Sequence, residues 1–226
     1  MKKILAFMLL VALCIPVLFA CSPSPLEEVA LKYNVSAPTK VAATTKQVVG
    51  SLELDCSYEL ITGTVDGKAA SVFTVVTEEI RSVEEGGNTE EIKEIIKTTT
   101  KKTEAIEGQG ARVNGGEWNP EGTPWTIGRG RMALNLDEDS LENVVYENNT
   151  LTFTIPVANV ATVLGEEYSQ NIGSDVEVVI VDDGAVVTSI DLHYFLKADE
   201  SINLPASEMT VKVVYTYDIE RINIEK

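Results

Sequence analysis

The side chains best suited to chemistry in this sequence are few. His193 is the only histidine, and Asp191 stands two residues before it. On an alternating strand those two share a face, which is the beginning of a nucleophile–base–acid arrangement. No serine in a Gly-x-Ser-x-Gly turn accompanies them. A single histidine also excludes an HExxH helix and any zinc site built on several imidazoles. A solvated strand face is the simpler account of the pair. Asp137-Glu138-Asp139 with Glu142 gathers carboxylates that a hard cation could use, but Leu141 takes a ligand position and the sharp-turn glycine is missing. Gly108-Gln109-Gly110 and Gly128-Arg129-Gly130 share only their glycines with phosphate-binding loops. The sequence therefore offers no catalytic residue, no metal ligand and no cofactor, and a protein that is not an enzyme is expected. One loop stands out: Trp118-Asn119-Pro120-Glu121-Gly122-Thr123-Pro124-Trp125 places two indoles in a Pro-braced segment. They either line a concave apolar or sugar-binding site or plug the open end of a sheet core.

The elements that would position these groups begin with the amino terminus. Met1-Lys2-Lys3 is basic, Ile4 to Phe19 is almost unbroken apolar chain, and Ala20-Cys21 precedes the polar run Ser22-Pro23-Ser24-Pro25. This is the layout of a secretory signal, too short for a comfortable membrane span. Leu18-Phe19-Ala20-Cys21 resembles the lipobox of bacterial lipoproteins. The resemblance implies cleavage between Ala20 and Cys21 and a diacylglyceryl group on the Cys21 thiol. Two acyl chains suffice for stable anchoring where one does not. The expected location is thus the extracytoplasmic face of the cell membrane or, in a host with an outer membrane, the inner leaflet of that membrane. Of the other cysteines, Cys14 leaves with the signal. Cys56 is then alone, without a disulfide partner, on what reads as an apolar strand face, where a buried and inert thiol is expected.

Charge narrows the partners. The chain carries 18 Lys and Arg against 35 Asp and Glu, a net charge of −17. Such a chain repels nucleic acid and anionic headgroups, so neither is expected as a partner. The membrane is reached through the lipid alone.

Three segments are expected: a signal over 1–20, a lipidated amino terminus and tether over 21–46, and one folded domain over 47–226. Ser24-Pro25-Leu26-Glu27 reads as a capping box opening a short helix through Val29, Ala30 and Tyr33. Asn34 to Lys46 reads as a tether or extended lead-in. From Val48 the period becomes two, with Leu52, Leu54, Cys56, Tyr58 and Leu60 on one face, then a turn over Gly63–Gly67 and a strand over Ala70–Ile80. Residues 81–106 fit either a helix from Asn88 or a hairpin turning at Glu85-Gly86-Gly87. The hairpin is favoured because it sets Ile80 opposite Ile92, Val76 opposite Ile96, Arg81 opposite Glu91 and Glu79 opposite Lys93. Gly108 to Met132 reads as a long connection. Leu134–Leu136, Val144–Tyr146 and Leu151–Ile155 read as short strands, with an Asn148-Asn149 turn. A helix from Pro156 to Leu164 ends at Gly165, and a three-strand meander closes the chain through the Asp182-Asp183-Gly184 turn. Leu192, Leu196, Tyr215 and Tyr217 fall on its apolar face.

The expected fold is mainly β (α+β): a curved antiparallel sheet or half-barrel with one or a few short helices packed on it. With its lipobox, long one-faced strands, single helix before the last meander and Tyr/Val-rich closing strand, the chain resembles the LolA/LppX-type exported lipoproteins. Tyr146 through Gly165 with the following hairpin resembles uncharacterised lipoproteins of Gram-positive bacteria. The resemblance implies a half-barrel whose concave face can hold an acyl chain or another apolar ligand. Two functions follow. One is a non-catalytic binding lipoprotein for an apolar or amphipathic ligand, contacted by Trp118, Trp125, Leu192, Leu196, Tyr215 and Tyr217. The other is a ligand-free module that contacts an envelope protein through strand edges or the tryptophan loop.

Overall fold

A computed structural model describes residues 23–84, 91–127, 134–166, 170–200, 205–218 and 222–224. The signal, the Ala20–Cys21 cleavage and lipidation site, the Glu85-Gly86-Gly87 turn and the Gly128-Arg129-Gly130 segment lie outside those residues.

The chain is mainly β: ten antiparallel strands form one open sheet in the order β5-β4-β3-β2-β1-β10-β9-β8-β7-β6. The strands are β1 (Lys40–Val49), β2 (Leu52–Val65), β3 (Lys68–Glu84), β4 (Glu91–Ile106), β5 (Gly110–Val113), β6 (Glu142–Glu147), β7 (Thr150–Ile155), β8 (Val176–Asp182), β9 (Val187–Leu196) and β10 (Ser207–Thr216). The order is two meanders joined at the middle. An N-terminal one runs outward from β1, and a C-terminal one runs inward from β6 and closes on β1 through β10. Register gives each residue a face. Val41 stands beside Tyr215 and Leu60, and from there the period of two assigns Val213, Ile190, Val178 and Phe153 to one face, here called inner.

Among the described residues two short α-helices cover only part of that face. α1 (Pro25–Asn34) is opened by a complete capping box between Ser24 and Glu27, with Pro25 in its first turn. Leu26, Val29 and Tyr33 recur at helical spacing and are buried against the C-terminal meander. α2 (Val160–Leu164) follows a 3-10 turn over Val157–Asn159 and buries Val160, Val163 and Leu164 in the same core. Gly165 ends it at φ 94, a conformation open to glycine. A smaller cluster lies on the outer face, where Ala70, Val72 and Ile106 meet Ile222 and Ile224 from the chain end.

Several expectations are corrected. Residues 40–46 are no tether. They form the first seven residues of β1, a central strand bonded on both sides, because Val41 and Ala43 alternate inward among small and β-branched residues. α1 also belongs to the domain rather than to a linker. The 81–106 hairpin forms, but in another register: Ile80 opposes Ile95, Val76 opposes Thr100, Arg81 opposes Glu94 and Glu79 opposes Lys97. The pairing begins at Glu84 with Glu91, and an extra residue, Ile96, enters at a bulge beyond Ile80. Leu134–Leu136 is irregular chain packed on the core rather than a strand. The strand after the first turn runs from Lys68 to Glu84, and that turn tightens to Asp66-Gly67.

Candidate functional site

On the inner face the helices stop short of the N-terminal meander. There β2 and β3 present Leu52, Leu54, Cys56, Tyr58, Phe73 and Val75, and among the described residues no helix lies above them. Leu52 is 41% exposed and Tyr58 36%. Cys56 is half-buried rather than buried, and its sulfur lies 3.5 Å from the Thr77 hydroxyl. Its proximity and the partial burial of Tyr58 push the Tyr58 phenol up to about 12, so Tyr58 is a neutral hydroxyl at physiological pH.

The tryptophan loop reaches this floor by wrapping the β5 edge. Asn119 pairs with Ala111 through two backbone hydrogen bonds of 2.9 and 2.7 Å. The approach is close enough that a Cβ on Gly110 would lie 2.0 Å from the Asn119 carbonyl oxygen, so only glycine fits there. Trp118 stays on the outer face, where the Arg112 guanidinium sits 4.9 Å from its ring centre and the outer cluster packs against it. Arg112 in turn donates to Glu104 at 2.6 Å. Burial opposes the charge on Glu104, but Lys102 and Arg112 outweigh it and hold the carboxyl below its usual range.

Trp125 turns to the inner face instead. Its backbone N–H donates to the buried Ser71 hydroxyl at 2.9 Å. Its ring stacks on Phe73 at 4.9 Å between centres and 14° between planes, and Phe73 stacks on Tyr58 at 6.4 Å and 16°. Beside this ladder is an open hollow of about 730 Å³, bounded by Trp125 and Pro124, by the lead-in to β1 at Pro38, and by the β2–β3 end at Thr62, Thr64 and Ala69. Trp125 remains 42% exposed.

The residues singled out in the sequence therefore separate. Trp118 and Trp125 stand on opposite faces and do not share a site. Leu192 and Tyr215 are 3% and 4% exposed inside the main core, and the Tyr215 hydroxyl meets that of Tyr33 on α1 at 3.1 Å. Tyr217 donates to the Val187 carbonyl at 2.8 Å, and Leu196 packs against the core margin. None of these four lines the hollow beside Trp125. Phe73, Tyr58 and Thr62 were not singled out. Alternation placed Tyr58 on the apolar face, and it is 36% exposed there with no described helix over it.

Asp191 and His193 lie on the outer face. His193 contacts Glu208 at 2.7 Å and Glu177 at 3.4 Å, while Asp191 faces Lys212 at 3.5 Å. Glu208 and Glu177 raise the histidine pKa despite partial burial. Among the described residues, no group of three or more His, Cys, Asp or Glu side chains is placed to hold a metal ion. No described helix is long and apolar enough to cross a membrane.

No protein-family model matches this chain, and no curated protein matches it. Among solved structures the chain is similar to a DUF1329 family protein from Desulfovibrio piger, with 8% identity, a TM-score of 0.28, and coverage of 87% of this chain and 93% of that one. A superposition that loose says nothing about what either protein does.

Proposed function

We propose that this protein is a lipid-anchored extracytoplasmic binding protein that holds an apolar or amphipathic ligand on the uncovered inner face of its N-terminal meander, without catalysing a reaction. The observation that carries this reading is the hollow beside Trp125. Its volume of about 730 Å³ falls within the range usual for small-molecule sites, roughly 300–1,000 Å³. An indole, two prolines and three alanines supply apolar contact, and Thr39, Thr62 and Thr64 supply hydroxyls for a polar head. The anchor on Cys21 rests on the lipobox resemblance. A non-catalytic role is supported by the place of His193, which lies on the opposite face and is tied to two carboxylates. A second reading, a ligand-free envelope interaction module in which strand edges do the binding, is favoured by the solid packing of Leu192 and Tyr215.

Native mass spectrometry of the full chain, extracted from the membranes of the expressing cell, distinguishes the two. A retained lipid or other apolar adduct, lost in the Thr62→Trp variant that fills the hollow, is the expected result. A wild-type chain carrying only its covalent lipid would overturn the binding reading.

A further inference from the structure

β5 bonds to β4 only across Thr103–Ile106. Asn114 then closes over Lys102: the Lys102 N–H donates to Asn114 Oδ1 at 2.7 Å, and the Asn114 N–H donates to the Lys102 carbonyl at 2.8 Å. From Lys101 back to Glu91, β4 has no strand on its outer side among the described residues. Side chains from Lys93 to Lys102 are exposed on both faces, with Ile95 at 56% and Ile96 at 45%. A long bare edge bearing two isoleucines invites pairing, and Lys93, Lys97 and Lys101 guard it against indiscriminate partners.

Two features specify one partner. The first is the bulge. Register passes from Glu79 opposite Lys97 to Ile80 opposite Ile95, so Ile96 is the extra residue. Lys102 sends both its backbone groups outward to Asn114, so by alternation Thr100 and Thr98 face outward too. Past the extra residue the phase shifts by one, and Lys93 and Glu91 face outward instead. The second feature is what happens when the segment is laid antiparallel on itself, with a dyad between Ile95 and Ile96. Lys93 then opposes Thr98 and Glu91 opposes Thr100, so outward backbone groups meet outward groups. Without the bulge this register would set outward groups against inward ones. Glu94 and Lys97 meet across the dyad, twice by symmetry, as a non-hydrogen-bonded pair whose side chains lie close together. Both stand on the inner face, beside Arg81 and Glu79 of β3. Lys97 is 3.1 Å from Glu79 and 65% exposed, and Glu94 makes no ion pair with another described residue.

We propose that β4 pairs antiparallel with β4 of a second copy of this chain, with Glu94 facing Lys97 and Ile95 facing Ile96, so that two ten-stranded sheets join edge to edge. A chain this acidic repels its copies at long range, and β4 is where it carries the complementary charges that offset the repulsion. The contact leaves the hollow beside Trp125 free and does not depend on its having a ligand.

The test is sedimentation velocity on the full chain in detergent micelles, with two charge reversals, Glu94→Lys and Lys97→Glu. Wild type is expected to form a concentration-dependent dimer. Each reversal sets like charges together twice and should weaken that dimer by about tenfold or more. In a mixed dimer of the two variants, one copy carries ammonium groups at both positions and the other carries carboxylates at both. Each cross-strand pair is then again opposite in charge, so the mixture should dimerise where neither variant does alone. Both positions are exposed, and circular dichroism should confirm that each variant keeps its sheet. A wild type that stays monomeric to about 100 µM, where any association tighter than millimolar would be visible, overturns the proposal. A dimer indifferent to both reversals, or a mixture no stronger than its parts, overturns it as well.

Discussion

The two meanders of the sheet carry the same kind of sequence and come to opposite ends. In the C-terminal half, Leu151, Ile155, Val176 and Ile190 are fully buried because α1 and α2 lie over them. In the N-terminal half, Leu52 and Tyr58 stand exposed on the same face of the same sheet, and Val75 beside them is only half-buried. Strand alternation creates an apolar face, and whether that face becomes core depends on what is laid across it. α1 is latched to the C-terminal half. Lys32 of α1 bridges Asp182 at 3.0 Å and the Tyr146 hydroxyl at 3.0 Å, and Tyr146 itself donates to Asp182 at 2.9 Å. The covered half holds the main core, and the uncovered half carries the face on which binding is proposed.

That contrast can be broken at its latch. The Asp182 carboxylate is 1% exposed, and Asp182→Ala leaves the Lys32 ammonium with Glu28 at 2.7 Å and the Tyr146 hydroxyl at 3.0 Å. A loss of about 2–3 kcal/mol in urea unfolding is expected, that of one buried charge-assisted hydrogen-bond pair. A loss below about 1 kcal/mol would mean that α1 is not held there. The packing difference itself should appear in a matched pair of truncations. Ile190→Ala should cost about 2–5 kcal/mol, and Leu52→Ala only about 0.5 kcal/mol. Equal costs would abolish the distinction between the halves. In the open half, Trp125→Ala should lower stability by about 1 kcal/mol through loss of the stack on Phe73. Trp118→Ala should leave the ligand adduct intact while weakening the outer cluster.

The smallest effect concerns pH. The His193 pKa is raised by Glu208 first, with burial opposing and Glu177 adding to the rise. The protonated imidazole is therefore favoured in the folded chain. Its contribution is fully present below the unfolded value of 6.5 and is lost as pH rises through the higher folded value. The urea midpoint should fall gently as pH climbs above 6.5, and His193→Gln should flatten that slope. The side chain is 38% exposed and its ion pairs are screened, so the effect stays small.

Much of the fold was legible because it depends on local periodicity. The α1 capping box, the Asp182-Asp183-Gly184 turn and the alternation in β2, β9 and β10 all form as the residues dictate. The β3–β4 register was not legible, because the pairing begins at Glu84 with Glu91, which no residue at that point marks, and a bulge then adds one more residue beyond Ile80. β1 was missed for a similar reason: Ala42, Ala43, Thr44 and Thr45 are small and weakly apolar, and their strand is dictated by β2 and β10 on either side. The site was legible by half. Trp125 could be picked out as an indole on a Pro-braced loop. That the loop wraps an edge and sends Trp118 to the other face follows from Gly110 and Asn119 in contact, which no spacing rule exposes.

The central claim is that apolar ligands bind against Trp125 on the open face. It is tested most directly by titrating the full chain in the Trp118→Phe background with 9,10-dibromostearate and following the fluorescence of Trp125. The account predicts saturable quenching that disappears when a non-fluorescent filler, Thr62→Phe, occupies the hollow. Quenching that never saturates, or that is the same with the hollow filled, would contradict it.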